Sequence, residues 1–206
     1  MFPVNPYIYD EQQGYGVYFK QTRDTLLDTQ EYISFVYNID NKFKRSVFYK
    51  DFKSSLMDKG FYRDQMHASI TSDMTNIEMH HNGLTLKFMT IMIIEHLLNV
   101  NGCVNTFEVI RALEEAHRSH EIAVVMLSET EHQKFHSDPC AFISFKMCVG
   151  DPFAFIDRYI DGMTQDIAFA LLLHLKQEEQ YNGSYSPNEI RARDEILKWQ
   201  IQDNNL

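Results

Sequence analysis

A chain of 206 residues, 44% hydrophobic and 23% charged, has enough apolar side chain for one core, or for a core with a smaller lobe beside it, which excludes a disordered or fibrous protein. Nineteen Lys and Arg against 29 Asp and Glu leave a net charge of −10, which argues against a surface that binds nucleic acid throughout. The cysteines at 103, 140 and 148 are odd in number and form no C-x-x-C pair, so a disulfide framework and a cysteine zinc knuckle are excluded and a reducing compartment is expected.

Along the chain, the first forty residues are rich in tyrosine and turn formers, and the alternation in "EYISFVYNID" predicts a strand. "SVFYKDFKSSLMDKG" follows as a helix, with Val47, Phe48, Phe52, Leu56 and Met57 at helical spacing, Ser46 as N-cap and Gly60 as the stop. "SDMTNIEMHHNGL" reads as a short strand entering a turn at Asn82-Gly83.

Residues 85–99 are apolar nearly all round and predict a buried helix ended by Gly102, and residues 106–119 predict an amphipathic one. "FMTIMIIEHLLNV", within the first of these, is broken by Glu95 and His96 and is too short to span a bilayer, which takes ~20 apolar residues. The start lacks the basic and apolar regions of a signal peptide, so a cytoplasmic protein is expected, in the host cytoplasm if the chain is phage-encoded. "IAVVML" predicts a buried strand, and Ser128 with Glu131 predicts a capped helix through His136, closed at Asp138-Pro139. Residues 152–160, 164–176 and 187–200 read as helices, with "QYNGSYSPNE" as a linker. The expected organisation is one compact unit with an N-terminal α+β region over 1–70, a middle section over 71–140 and a helical region over 141–206.

Charge is unevenly spread. Lys42, Lys44, Arg45, Lys50, Lys53, Lys59 and Arg63 face only Asp51 and Asp58, a local +5 that leaves −15 for the remainder. Such a stretch is either a solvated helix face or a surface for phosphates.

His80 and His81 are adjacent on the strand and point to opposite faces, whereas His132 and His136 stand four apart on a helix and share one face about ~6 Å apart. An H-x-x-x-H pair can hold one metal between its imidazoles, or it can arise by chance on a surface helix. Strand, "IEMHH", glycine turn, then the strand and helix of "AVVMLSETEHQKFH" together resemble the HNH (ββα-metal) endonuclease family. The closest likeness is to its colicin-nuclease branch and to HNH-like proteins of tailed bacteriophages.

The resemblance implies an α+β, mostly helical fold with a ββα-metal core interrupted by a two-helix insertion over about 85–119. It also implies His81 as general base, with His80, His132 and His136 holding one divalent metal ion: zinc, magnesium, manganese or nickel. Lys42, Lys44, Arg45, Lys50 and Lys53 would then contact DNA, whose phosphodiester bonds the metal and the imidazole would hydrolyse. The position of the family's central asparagine is held by Ala123.

An alternative keeps the fold with a structural metal site and acts by binding another protein. No membrane partner is expected. Of the remaining histidines, His96 and His174 read as core or boundary residues, His117 and His120 as solvent-facing, and His67 as a loop residue with no assigned partner.

Overall fold

The computed structural model describes residues 7–10, 15–138 and 141–203, with side chains for all of these except 7–10, 15, 16, 136 and 201–203. Cys140 and Pro139 lie outside the described residues. The chain opens on an antiparallel hairpin, β1 (Tyr7–Asp10) with β2 (Tyr15–Tyr18), which the sequence reading does not assign.

A helix, α1 (Thr29–Arg45), then occupies the stretch predicted as a strand. Its N-cap is Asp28, whose carboxylate accepts the backbone N–H groups of Gln30 and Glu31. Phe35, Val36, Ile39 and Phe43 fall on one helical face and are all buried. The aromatic and β-branched residues that suggest a strand are therefore a helical stripe, and burying it outweighs their weak intrinsic preference. Ser46 ends α1 in extended backbone and caps α2 (Val47–Asp58), its hydroxyl accepting the Tyr49 N–H at 3.1 Å.

The second ribbon is β3 (Ile77–His81) paired antiparallel with β4 (Val124–Ser128), in a register that sets Met79 opposite Met126 and His81 opposite Val124. Two helices stand between them in sequence. The first, α3 (Leu86–Asn101), buries Met89, Met92, Ile93 and Ile94 at the centre of the molecule. The second, α4 (Thr106–Arg118), begins with a reciprocal capping box between Asn105 and Glu108. After β4, Ser128 caps α5 (Glu129–Ser137).

The C-terminal part is helical: α6 (Phe153–Tyr159), α7 (Gln165–Asn182) and α8 (Pro187–Asp203). Most of "QYNGSYSPNE" is absorbed by the ends of α7 and α8, leaving a short turn in which Gly183 adopts a φ of 76°. Between α6 and α7 a single turn of 3-10 helix, Ile160–Gly162, lies against α3. Their backbones approach so closely that a Cβ on Gly162 would stand 2.0 Å from the Met92 carbonyl oxygen.

One apolar cluster takes side chains from α1 (Phe43), α2 (Phe52), α3 (Ile93), α4 (Leu113), α6 (Phe155), α7 (Leu171) and α8 (Ile196). A smaller one, around Val125, Leu127 and Ile143, covers the other face of β4. With both faces covered, β4 is buried throughout, whereas β3 alternates. The fold is α+β and mostly helical, with two small antiparallel ribbons among the described residues.

Candidate functional site

The alternation of β3 separates the two adjacent histidines. Ile77, Met79 and His81 face the main core, and Glu78 and His80 face outward. Inside, His81 meets His117 of α4, with their Nε2 atoms 3.1 Å apart. The Nδ1–H of His117 donates to the Leu113 carbonyl at 2.7 Å, so its Nε2 is the acceptor and His81 Nε2–H is the donor. Phe43 and Phe52 pack edge-on or tilted against the His117 ring, with centroids at 4.8 and 5.2 Å.

Burial holds both imidazoles neutral. The His117 pKa falls to about 4 through desolvation, partly offset by the hydrogen bond to Leu113. That of His81 is pushed well below its ordinary value by desolvation first, then by the neighbouring His117, His80, Lys44 and His132. The expectation that His117 faces solvent is therefore corrected. Its position four residues after Leu113 puts it on the buried stripe of α4, a signal present in the helical spacing.

On the outer side, His80 and His132 come together from β3 and α5, their rings 5.3 Å apart and nearly perpendicular. His132 Nδ1 lies 2.5 Å from a carboxylate oxygen of Glu78, the residue two before His80 and on the same face of the strand. His136 is one helical turn beyond His132 on α5, and its side chain lies outside the described residues. Among the described residues, no group of three or more His, Cys, Asp or Glu side chains stands where it could hold a metal ion.

What fixes α5 over β3 is a buried carboxylate. Asp64 accepts Ser128 N–H at 2.8 Å and Ser128 Oγ–H at 2.5 Å on one oxygen, and the N–H groups of Met66 and His67 on the other. Burial raises its pKa, but the hydrogen bonds from Ser128, His67 and Met66 outweigh that and hold it below the ordinary value. His67 then sits 3.8 Å from Glu131, the partner that the sequence reading leaves unassigned.

A cavity of about 410 Å³ opens beside the histidines. Of the five basic residues singled out in sequence, Lys44 and Lys53 line it, whereas Lys42, Arg45 and Lys50 do not. Lys87, Tyr49, Asp40 and Glu78 join them, none of which the sequence reading selects. Asp40 accepts the Thr90 hydroxyl at 2.7 Å, and burial raises its pKa against the lowering effects of that bond, Lys44 and Lys87. Tyr49 is held as a neutral phenol, burial raising its pKa.

Elsewhere, His174 of α7 is packed against Phe145 and has a buried Nε2 without a hydrogen-bond partner among the described residues; desolvation lowers its pKa to about 4. His96 pairs with Asp161 at 2.7 Å near the surface.

A family model described as "Bacteriophage G278-like virion protein" matches residues 8–204. No curated protein and no solved structure matches the chain at a significant level. This match, across nearly the whole sequence, overturns the likeness to HNH endonucleases, which rests on a few motif residues. It removes the nuclease and hydrolase reading and leaves the alternative, an HNH-like protein built on a structural metal site, without support. Zinc has no support from the described side chains either. The strand-strand-helix succession of β3, β4 and α5 is present, but a small ribbon beside a helix is common to many folds and carries no chemistry by itself.

Proposed function

Because the chain belongs to the Bacteriophage G278-like virion protein family, we propose that it is a structural component of the phage particle and works by binding neighbouring virion proteins. The observation that supports contact-making most directly is the outer face of α7. Phe169 and Leu173, at i and i+4, share that face and are 69% and 48% exposed. A short stripe of two large apolar side chains, one turn apart on the same face of a helix, is the kind of surface that protein partners cover. No helix among the described residues is long and apolar enough to cross a membrane, so this stripe is not part of a helical span.

The test is to purify particles from infected cells by density gradient and quantify this chain by mass spectrometry. A fixed copy number per particle is expected, and presence in the lysate with absence from particles would refute the proposal. A Phe169→Ser, Leu173→Ser double variant supplied in trans locates the contact: exclusion from particles assigns it to α7, and normal incorporation assigns it to another face.

A further inference from the structure

The cavity beside β3 carries a charge pattern that particle membership does not explain. Three lysines from three helices line it: Lys44 from the last turn of α1, Lys53 from α2 and Lys87 from the first turn of α3. None of the three forms an ion pair among the described residues, on a chain whose net charge is −10. Of the two carboxylates in the wall, Glu78 pairs with His132, and Asp40 accepts the Thr90 hydroxyl while feeling the charges of Lys44 and Lys87 without a direct ion pair to either, so three cations face two carboxylates.

Lys87 is the most telling of the three. The first turn of a helix has a positive end, where a cation is disfavoured, and α3 has no acidic residue in that turn to compensate. A local rule broken at the rim of a cavity is where a ligand that repairs it is to be sought. Low-dielectric walls focus such a field inside a concavity, so an otherwise acidic protein still presents an attractive well for anions there.

We infer that this cavity binds a phosphate-type oxyanion, either free phosphate or the phosphate group of a small monoester. Three ammonium donors and the neutral Tyr49 hydroxyl match a tetrahedral dianion, which offers more acceptor oxygens than a single carboxylate. Met79 and Leu86 in the same wall provide an apolar side against which the remainder of a monoester would pack. The inference is independent of where in the particle the chain resides.

Calorimetric titration of the full chain at low ionic strength with inorganic phosphate and with phenyl phosphate tests it. Both are expected to bind; tighter binding of phenyl phosphate identifies a monoester as the ligand, and equal affinity identifies free phosphate. Lys53→Met and Lys87→Met should each weaken binding by about 10-fold, the loss of one charge-assisted hydrogen bond, with unchanged circular dichroism. Lys50→Met, on α2 but away from the cavity, should leave affinity unaltered. Absence of binding by both probes at millimolar concentration, or affinity indifferent to Lys53 and Lys87, would overturn the inference.

Discussion

The imidazoles of His81 and His117 share one hydrogen bond, 3.1 Å long, with the protein interior on both sides. A second proton on His117 would put a charge among Phe43, Phe48 and Phe52, and one on His81 would put it between Tyr49 and His117.

Stability is therefore expected to fall on mild acidification. Both histidines have folded-state pKa values below the unfolded value of 6.5, so the unfolded chain binds more protons and gains on the native one as pH drops below that point. For His117 alone, with a pKa of about 4, the loss between pH 7 and pH 5 is on the order of 2 kcal/mol. The groups facing the pair are Lys44 of α1, Tyr49 of α2, His80 of β3 and His132 of α5. Urea midpoints over that range should decline for the wild type and decline less steeply for His117→Leu, and a flat wild-type profile would contradict the assignment.

Asp64→Asn should cost roughly 2–4 kcal/mol at neutral pH, because a carboxylate accepting four donors is replaced by a group with one acceptor oxygen and an NH₂ facing donors. Its folded pKa is depressed, so the stabilisation is present above the unfolded value of 3.8 and fades as pH falls through the folded value. The gap between wild type and variant in chemical denaturation should accordingly be wide at pH 7 and shrink as the pH falls below 3.8. A gap of constant width would mean the charge is irrelevant.

Two glycine replacements should separate space from conformation. Gly162→Ala forces a methyl group to 2.0 Å from the Met92 carbonyl and should cost roughly 3 kcal/mol or more. Gly102→Ala meets nothing within 4 Å and bears only the strain of a φ of 68°, about 1–2 kcal/mol. Thermal unfolding of the two proteins should rank them in that order.

On α7, Phe169→Ser with Leu173→Ser should shift the stability of the isolated chain by little, within about 0.5 kcal/mol for each exposed site. A large loss of stability would show that the face is internal to the fold, so the same variant checks the premise of the particle experiment.

Most helices are legible in the sequence because their signals are local: a capping serine or threonine, an apolar stripe, a terminal glycine. Ser46, Gly60, Ser128 and Gly102 all stand where those rules put them. The failure at α1 has the same origin, since "EYISFVYNID" satisfies a period of 2 as well as one of 3.6 until Phe43 extends the series. The site is legible only as far as the strand alternation reaches. Alternation puts Glu78 with His80, yet nothing local brings Lys87 to Lys44 or His117 to His81, which are 43 and 36 residues apart. The function is the least legible part, because four histidines at family-like spacing say nothing of what the whole surface does.

Ser46 acts as an elbow of one residue, since the same side chain and backbone close one helix and start the next. Lys44 and Lys53 stand on opposite arms of that elbow, so its single extended ψ of 152° sets the width of the cavity mouth. Inserting one residue after Ser46 would swing the second arm about its own axis by about 100°, the rotation per helical residue. Phe52 would leave the core and Lys53 the mouth in the same movement, so this joint tolerates substitution far better than any change in length.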